Sequence, residues 1–158
     1  MTATVGATLE REHRTIDDGI MDFAGADPSA VAPEQRSALL DSIAVLRRHI
    51  YIEEQYLFPP LRAAGMVGPV MVMVREHGLM WPLLDQLQRL VSDGDFGTAT
   101  QLCRDLLQQL NSHNTKEEMI LYPQADEVLS PGDLDELTDL LSTAEIPADW
   151  VCGGVLRS

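Results

Sequence analysis

The feature that most constrains this chain is a repeat. The segments "HIYIEEQYLFPPL" (His49 to Leu61) and "HNTKEEMILYPQA" (His113 to Ala125) share one skeleton: His, three residues, Glu-Glu, three residues, an aromatic, Pro. The chain has only four histidines, at 13, 49, 77 and 113. His13 to His49 and His77 to His113 are each 36 residues, and His13 to His77 and His49 to His113 are each 64. The same 64-residue shift carries Glu53 to Glu117, Glu54 to Glu118, Phe58 to Tyr122 and Pro59 to Pro123, and Arg11-Glu12-His13 returns as Arg75-Glu76-His77. Such a chain reads as two helical hairpins related by duplication, each supplying one lone His and one His-x3-Glu pair.

Apolar periodicity places these residues on helices. Leu9, Ile16 and Ile20 recur at helical spacing around His13 in a run from Val5 to Phe23. A loop from Gly25 to Pro33 precedes a second run to Leu61, with Leu39, Ile43, Leu46, Ile50 and Leu57 as its buried stripe. A third run extends from Pro69 to Val91, with Pro82 expected to kink it. The fourth, from Thr98 to Val128, carries Leu102, Leu106, Leu110 and Ile120. "SPGD" then opens a short acidic helix to about Ser142, and the closing "PADWVCGGVLRS" reads as irregular, with Trp150 folding back. The pattern predicts an all-α protein: an up-down-up-down four-helix bundle over residues 5–128, with a short fifth helix and tail over 130–158, in a single domain spanning 1–158.

Residues four apart on a helix share a face, about 6 Å apart along the axis. His49 with Glu53, and His113 with Glu117, can therefore reach one interior point each, and His13 and His77 join them from the other two helices. A lone buried His is more often a hydrogen-bonded core residue, and a lone His-x3-Glu often only stabilises a helix surface. Here every histidine obeys the same shift as the two glutamates. Six unpaired polar groups in an apolar core would be costly, and divalent cations would satisfy them. The expected ligands are His13, His49, Glu53, His77, His113 and Glu117.

The neighbouring residues receive plainer readings. Glu12, Glu54, Glu76 and Glu118 each adjoin a ligand and point about 100° away, which places them toward solvent or, as the less favoured reading, behind the ligands. Asp17 lies four residues after His13, but its repeat partner is Trp81, so it is left out of the site. Tyr56, seven after His49, is the tyrosine best placed to support the ligands, with Tyr51 and Tyr122 as packing residues. The methionines fill core, Cys103 is a core residue, Cys152 has no assignment, and Pro59 and Pro123 loosen the helix ends.

Composition removes some partners. A formal charge of −14, from 25 acidic and 11 basic residues, opposes nucleic-acid and anionic-lipid binding. No apolar run reaches a membrane span, and the opening residues lack the pattern of a secretion signal, so a cytoplasmic location is expected. The two cysteines suggest no disulfide framework.

His13, His49-x3-Glu53, His77 and His113-x3-Glu117 together resemble the H–HxxxE–H–HxxxE pattern of hemerythrin-like (HHE cation-binding) domains, over about Leu9 to Pro123. The resemblance implies a four-helix bundle with a non-heme di-iron centre. His13 and His49 would bind one iron, His77 and His113 the other, and Glu53 and Glu117 would bridge them beside an oxo or hydroxo group. Nitrogen and carboxylate donors also suit manganese or zinc. Oxygen-carrying members have an additional His one turn before the third-helix His, where this chain has Met73, and Leu9 in the first half. Met is a poor ligand for such iron, so an open position is expected at both metals, favouring reaction with O2, peroxide or nitric oxide over reversible O2 carriage. Consumption of peroxide or nitric oxide is one implied role. The alternative is an iron or oxygen sensor, or an iron donor for metal-centre repair, without turnover.

Overall fold

The computed structural model describes residues 4–155; the ends of the expected domain and tail, 1–3 and 156–158, lie outside them. Helix is the sole regular secondary structure of the described residues, with no strand among them. They form five continuous helical runs: α1 (Val5–Ala24); α2 (Pro33–Ile52), continuing through a π turn (Glu53–Leu57) into α3 (Phe58–Ala63); α4 (Val67–Asp93); α5 (Phe96–Lys116), continuing through a π turn (Glu117–Leu121) into α6 (Tyr122–Val128); and α7 (Pro131–Thr143).

Local chemistry sets the boundaries. The Thr4 side chain accepts from the Ala7 N–H at the start of α1, Asp95 accepts from Thr98 before α5, and Ser130 accepts from Asp133 before α7. Because Asp95 is the cap, α5 begins at Phe96 rather than Thr98. Gly94, at φ +76°, ends α4 in the left-handed conformation that a glycine adopts at little cost. The α4 helix continues through Pro82 as one element.

Helix α1 packs on α2 and α5, and α4 packs on α5 and α2, neighbours consistent with a four-helix bundle. Gly19 permits the close approach of α1 and α2: a Cβ there would lie 2.6 Å from the Ala38 carbonyl oxygen. The apolar interior is divided in two. One cluster includes Ile16, Ile20, Leu39, Ile43, Leu84 and Leu106, and the other Leu9, Ile52, Leu57, Met73, Leu121 and Ala125. The ligand candidates lie between them in sequence: His13 falls between Leu9 of one cluster and Ile16 of the other.

The two π turns change the phase of the helices that carry them. The Phe58 N–H donates to the Glu53 carbonyl and the Tyr122 N–H to that of Glu117, five residues back in each case. Each turn inserts one extra residue into the helical count. Positions seven after each histidine therefore swing outward: Tyr56 is 40% and Ile120 50% exposed. Leu57 and Leu121, one residue later, are buried in their place. This corrects the expected inward placement of Tyr56 and Ile120.

The closing segment is irregular and returns to the helices. Trp150 meets Tyr51 and Trp81 edge-on, with ring centroids 4.9 and 5.4 Å away. Cys152, unassigned from sequence, is a core residue, as is Cys103. Among the described residues no helix is long and apolar enough to cross a membrane.

Candidate metal centre

All six expected ligands are buried and converge. Helices α1, α2, α4 and α5 bring in His13, His49, His77 and His113, and the two π turns bring in Glu53 and Glu117. They form two quartets, His13-His49-Glu53-Glu117 and Glu53-His77-His113-Glu117, in each of which one atom per residue lies within 4.8 Å of all the others. The carboxylates are shared. Glu53 Oε2 is 3.2 Å from His49 Nε2 while its Oε1 is 3.2 Å from His77 Nε2. Glu117 Oε1 is 3.3 Å from His13 Nε2 and 3.2 Å from His113 Nε2. The duplication is visible in the rings: His13–His49 and His77–His113 each have centroids 4.8 Å apart, at 47° and 46°.

Each histidine is held from behind. Nδ1 of His13 lies 2.7 Å from Glu118, that of His49 2.8 Å from Glu12, that of His77 2.7 Å from Glu54, and that of His113 2.9 Å from Glu76. A carboxylate only accepts, so Nδ1 carries a proton and Nε2 faces the centre, where its lone pair is free to bind once the ring is neutral. Of the two readings open to the four glutamates, the less favoured one, support behind the ligands, is the one observed. A residue next to an inward-facing ligand points into the groove between helices, where the neighbouring histidine presents its outer nitrogen. Glu12 and Glu76 reach across within their own hairpins, and Glu54 and Glu118 across to the other. Asp17, as expected, belongs to neither quartet. Burial raises its pKa, against the opposing pull of His13.

Tyr122 is the functional residue that sequence reasoning missed. Its hydroxyl is 2.7 Å from Glu53 Oε2 and 3.1 Å from Glu117 Oε1, and 3.0 and 3.2 Å from Nε2 of His13 and His49. The π turn puts it there. Five residues along an α-helix would place it about 140° from Glu117, whereas the extra residue brings it onto the same face. Its repeat partner Phe58 has no hydroxyl and stacks on His77 with centroids 5.7 Å apart, as Tyr122 does on His13 at 5.6 Å. The quartets are therefore unequal.

The electrostatics reflect the crowding of acids around imidazoles. Burial opposes protonation of His49 and His77, but carboxylates outweigh it and raise both pKa values: Glu53 and Glu12 for His49, Glu53 and Glu54 for His77. His113 is pushed up to about 10, its burial overcome by Glu117, Glu76 and Glu53. Glu53 is held well below the usual carboxylate range, because His49, Glu117 and His77 outweigh its burial. Burial and then the charges of Glu117 and Glu53 push Tyr122 well above its ordinary value.

Three of the inward atoms, Glu53 Oε1, Glu117 Oε2 and His77 Nε2, are buried without a well-formed hydrogen bond, Glu53 Oε1 and His77 Nε2 facing one another at 3.2 Å. Orphaned polar atoms at this depth are costly. The separations of about 3 Å between neighbouring donors match a first-row divalent ion: bonds of about 2.1 Å at right angles separate adjacent donors by about 3.0 Å. The residues present fit a pair of cations.

Fold and site thus define a helical protein with two adjoining sites that could hold metal. The profile of the Hemerythrin HHE cation binding domain matches residues 4–125, and the chain belongs to that family. Comparison with curated proteins and with solved structures returned no match.

Proposed function

We propose that this protein is a four-helix-bundle, carboxylate-bridged di-iron protein that binds or reacts with a small molecule: O2, hydrogen peroxide or nitric oxide. The observation that carries this reading is the sharing of Glu53 and Glu117 by two histidine pairs, with unpartnered atoms facing inward. In the proposed arrangement His13 and His49 hold the first ion and His77 and His113 the second. Glu53 and Glu117 bridge, and Glu118, Glu12, Glu54 and Glu76 fix the ring orientations. Iron is favoured over manganese or zinc by family membership; the nitrogen and carboxylate donor set suits all three. The bound pair would supply one- and two-electron redox chemistry.

The chain's own residues make the two positions different. Tyr122 offers the first a phenol oxygen among its donors, whereas the second faces Phe58, which belongs to the same apolar cluster as Met73. In place of the two open positions expected from sequence, we assign the open one to the second ion. Its walls are apolar, which suits a small uncharged ligand. The shared carboxylates keep the ions at a fixed separation while their charge changes. A cytoplasmic setting and a diatomic or peroxide partner belong to the same proposal. Mixing the reduced, iron-loaded protein with O2, peroxide and nitric oxide in turn, and following the visible spectrum, tests it. A change with at least one is expected, and an inert spectrum with all three overturns the reading.

A further inference from the structure

The four glutamates behind the histidines are paired by the duplication, yet one of them is covered differently. Glu118, behind His13, is 33% exposed, whereas its repeat partner Glu54, behind His77, is 7% exposed. The difference coincides with the closing segment. The Gly153 N–H donates to Glu54 Oε1 at 2.8 Å, while Glu54 Oε2 accepts from His77 Nδ1 at 2.7 Å. One carboxylate therefore links the tail to a ligand of the second quartet. Among the described residues Glu118 has no counterpart to this bond in the first.

The sequence is adapted to the crossing. Gly154 lies on Gly78, the residue after His77: a Cβ on Gly78 would be 2.6 Å from the Gly154 carbonyl carbon, and a Cβ on Gly154 would be 2.8 Å from Gly78 Cα. Both are too close for any side chain. Gly78 breaks the repeat, since the position 64 residues earlier is Arg14. Trp150, against Tyr51 and Trp81, and the buried Cys152 anchor the residues that lead into the crossing.

We propose that the closing segment Trp150–Gly154 positions the second cation site, by clamping Glu54 and through it the His77 ring. This rests on the reading that the centre holds cations. Glu54 pinned at both oxygens keeps His77 in the Nδ1-protonated tautomer with Nε2 turned inward. Glu118, fixed at one oxygen and partly in water, holds His13 more loosely. The first site gains its order instead from Tyr122.

The test uses Gly78→Ala and Gly154→Ala, which lift the segment from opposite sides. Ala favours α4 over Gly, so the first variant does not weaken the helix itself. Outer partners of a ligating His typically contribute 10–100-fold to metal affinity. Anaerobic Fe2+ titration should give two ions per chain in the unaltered protein. In both variants the first ion should bind as before and the second about tenfold more weakly; titrations superimposing on the unaltered protein overturn the proposal. Linkage supplies a measurement that needs no variant: if the docked segment strengthens the second site about tenfold, the ion strengthens docking equally. Hydrogen exchange of the Gly153 amide should then slow about tenfold on iron loading, and an unchanged rate overturns the proposal. In chelator-treated protein, proton NMR should show faster solvent exchange of the His77 Nδ1–H in Gly78→Ala, with that of His13 unchanged. Equal behaviour of the two rings contradicts the clamp. Failure of the unaltered protein to bind iron removes the di-iron reading, and this last comparison still judges the clamp.

Discussion

The unequal quartets give a prediction whose sign is unusual. Tyr122 and Phe58 are related by the repeat, stack alike on His13 and His77, and differ by one hydroxyl. Phe58→Tyr should carry its new oxygen among His77, His113, Glu53 and Glu117, where Glu53 Oε1 and His77 Nε2 have no well-formed hydrogen bond. Adding an atom to a packed core ordinarily destabilises, by about 1–3 kcal/mol. Here the hydroxyl meets orphaned, partly charged acceptors, and a hydrogen bond to a charged group is worth about 1.5–3 kcal/mol. For 158 residues the unfolding entropy is about 330 cal/mol/K. Set against that packing cost the net gain is at most about 2 kcal/mol, so Phe58→Tyr should raise the melting temperature of the metal-free protein by up to about 6 °C. Tyr122→Phe, which removes bonds to Glu53 and Glu117, should lower it by a similar amount. Scanning calorimetry of chelator-treated protein at neutral pH reads both. A destabilised Phe58→Tyr, or an unchanged Tyr122→Phe, would refute the placement of the hydroxyl as a site element. In the iron-loaded protein the same Phe58→Tyr should fill the open second position and suppress the reaction with small molecules.

Other outcomes follow from the same geometry. Glu118→Ala removes the carboxylate behind His13 and should weaken the first ion about tenfold, at the low end of the usual 10–100-fold range because water can replace a partly exposed group; competition with a chelating dye measures it. In the metal-free protein His113 is raised to about 10, so its contribution to stability is fully present below its ordinary value near 6.5 and is lost as pH rises through about 10. Glu76 is lowered to about 2, with the hydrogen bond from His113 the leading cause, so its contribution is present above about 4.5 and lost as pH falls through about 2. Metal entry must displace the histidine protons, so chelator-competition affinity should strengthen as pH rises. Burial pushes Cys103 to about 12 and Cys152 to about 11; a thiol reagent at pH 8 should label neither in the folded protein and both after unfolding. Deleting Ile120, one of two exposed residues of the second π turn, should leave an α-helix with Tyr122 still above Glu117, so iron content and Tyr122-dependent stability should persist.

The ligands were legible because duplication wrote them twice. His13 alone looks like any core histidine, but with the shared shift from His49, His77 and His113 it becomes one quarter of a site. Helix boundaries were legible from Pro33, Gly94 and the Ser130-Pro131 cap, to within a few residues. Less legible was anything that depended on exact helical phase beyond Glu53 and Glu117. Spacing that assumes 3.6 residues per turn selects Tyr56 and Ile120, whereas each π turn hands their places to Leu57 and Leu121 and turns Tyr122 onto the ligands. A signal was present: the aromatic before each repeated proline occurs five residues after a ligand, a spacing that aligns only on a π turn. The outer glutamates are ambiguous in sequence for a different reason: a residue beside an inward one faces solvent on a lone helix and the neighbouring helix in a packed bundle, and spacing alone does not choose. The docking of Gly153 on Glu54 joins positions 99 residues apart, and only the break in the repeat at Gly78 hinted at it.

The central claim is tested most directly by anomalous diffraction at the iron absorption edge, on crystals of protein loaded with iron. The account predicts two peaks per chain: one among His13, His49, Glu53, Glu117 and Tyr122, the other among His77, His113, Glu53 and Glu117. A single peak, a peak elsewhere on the chain, or none would contradict it.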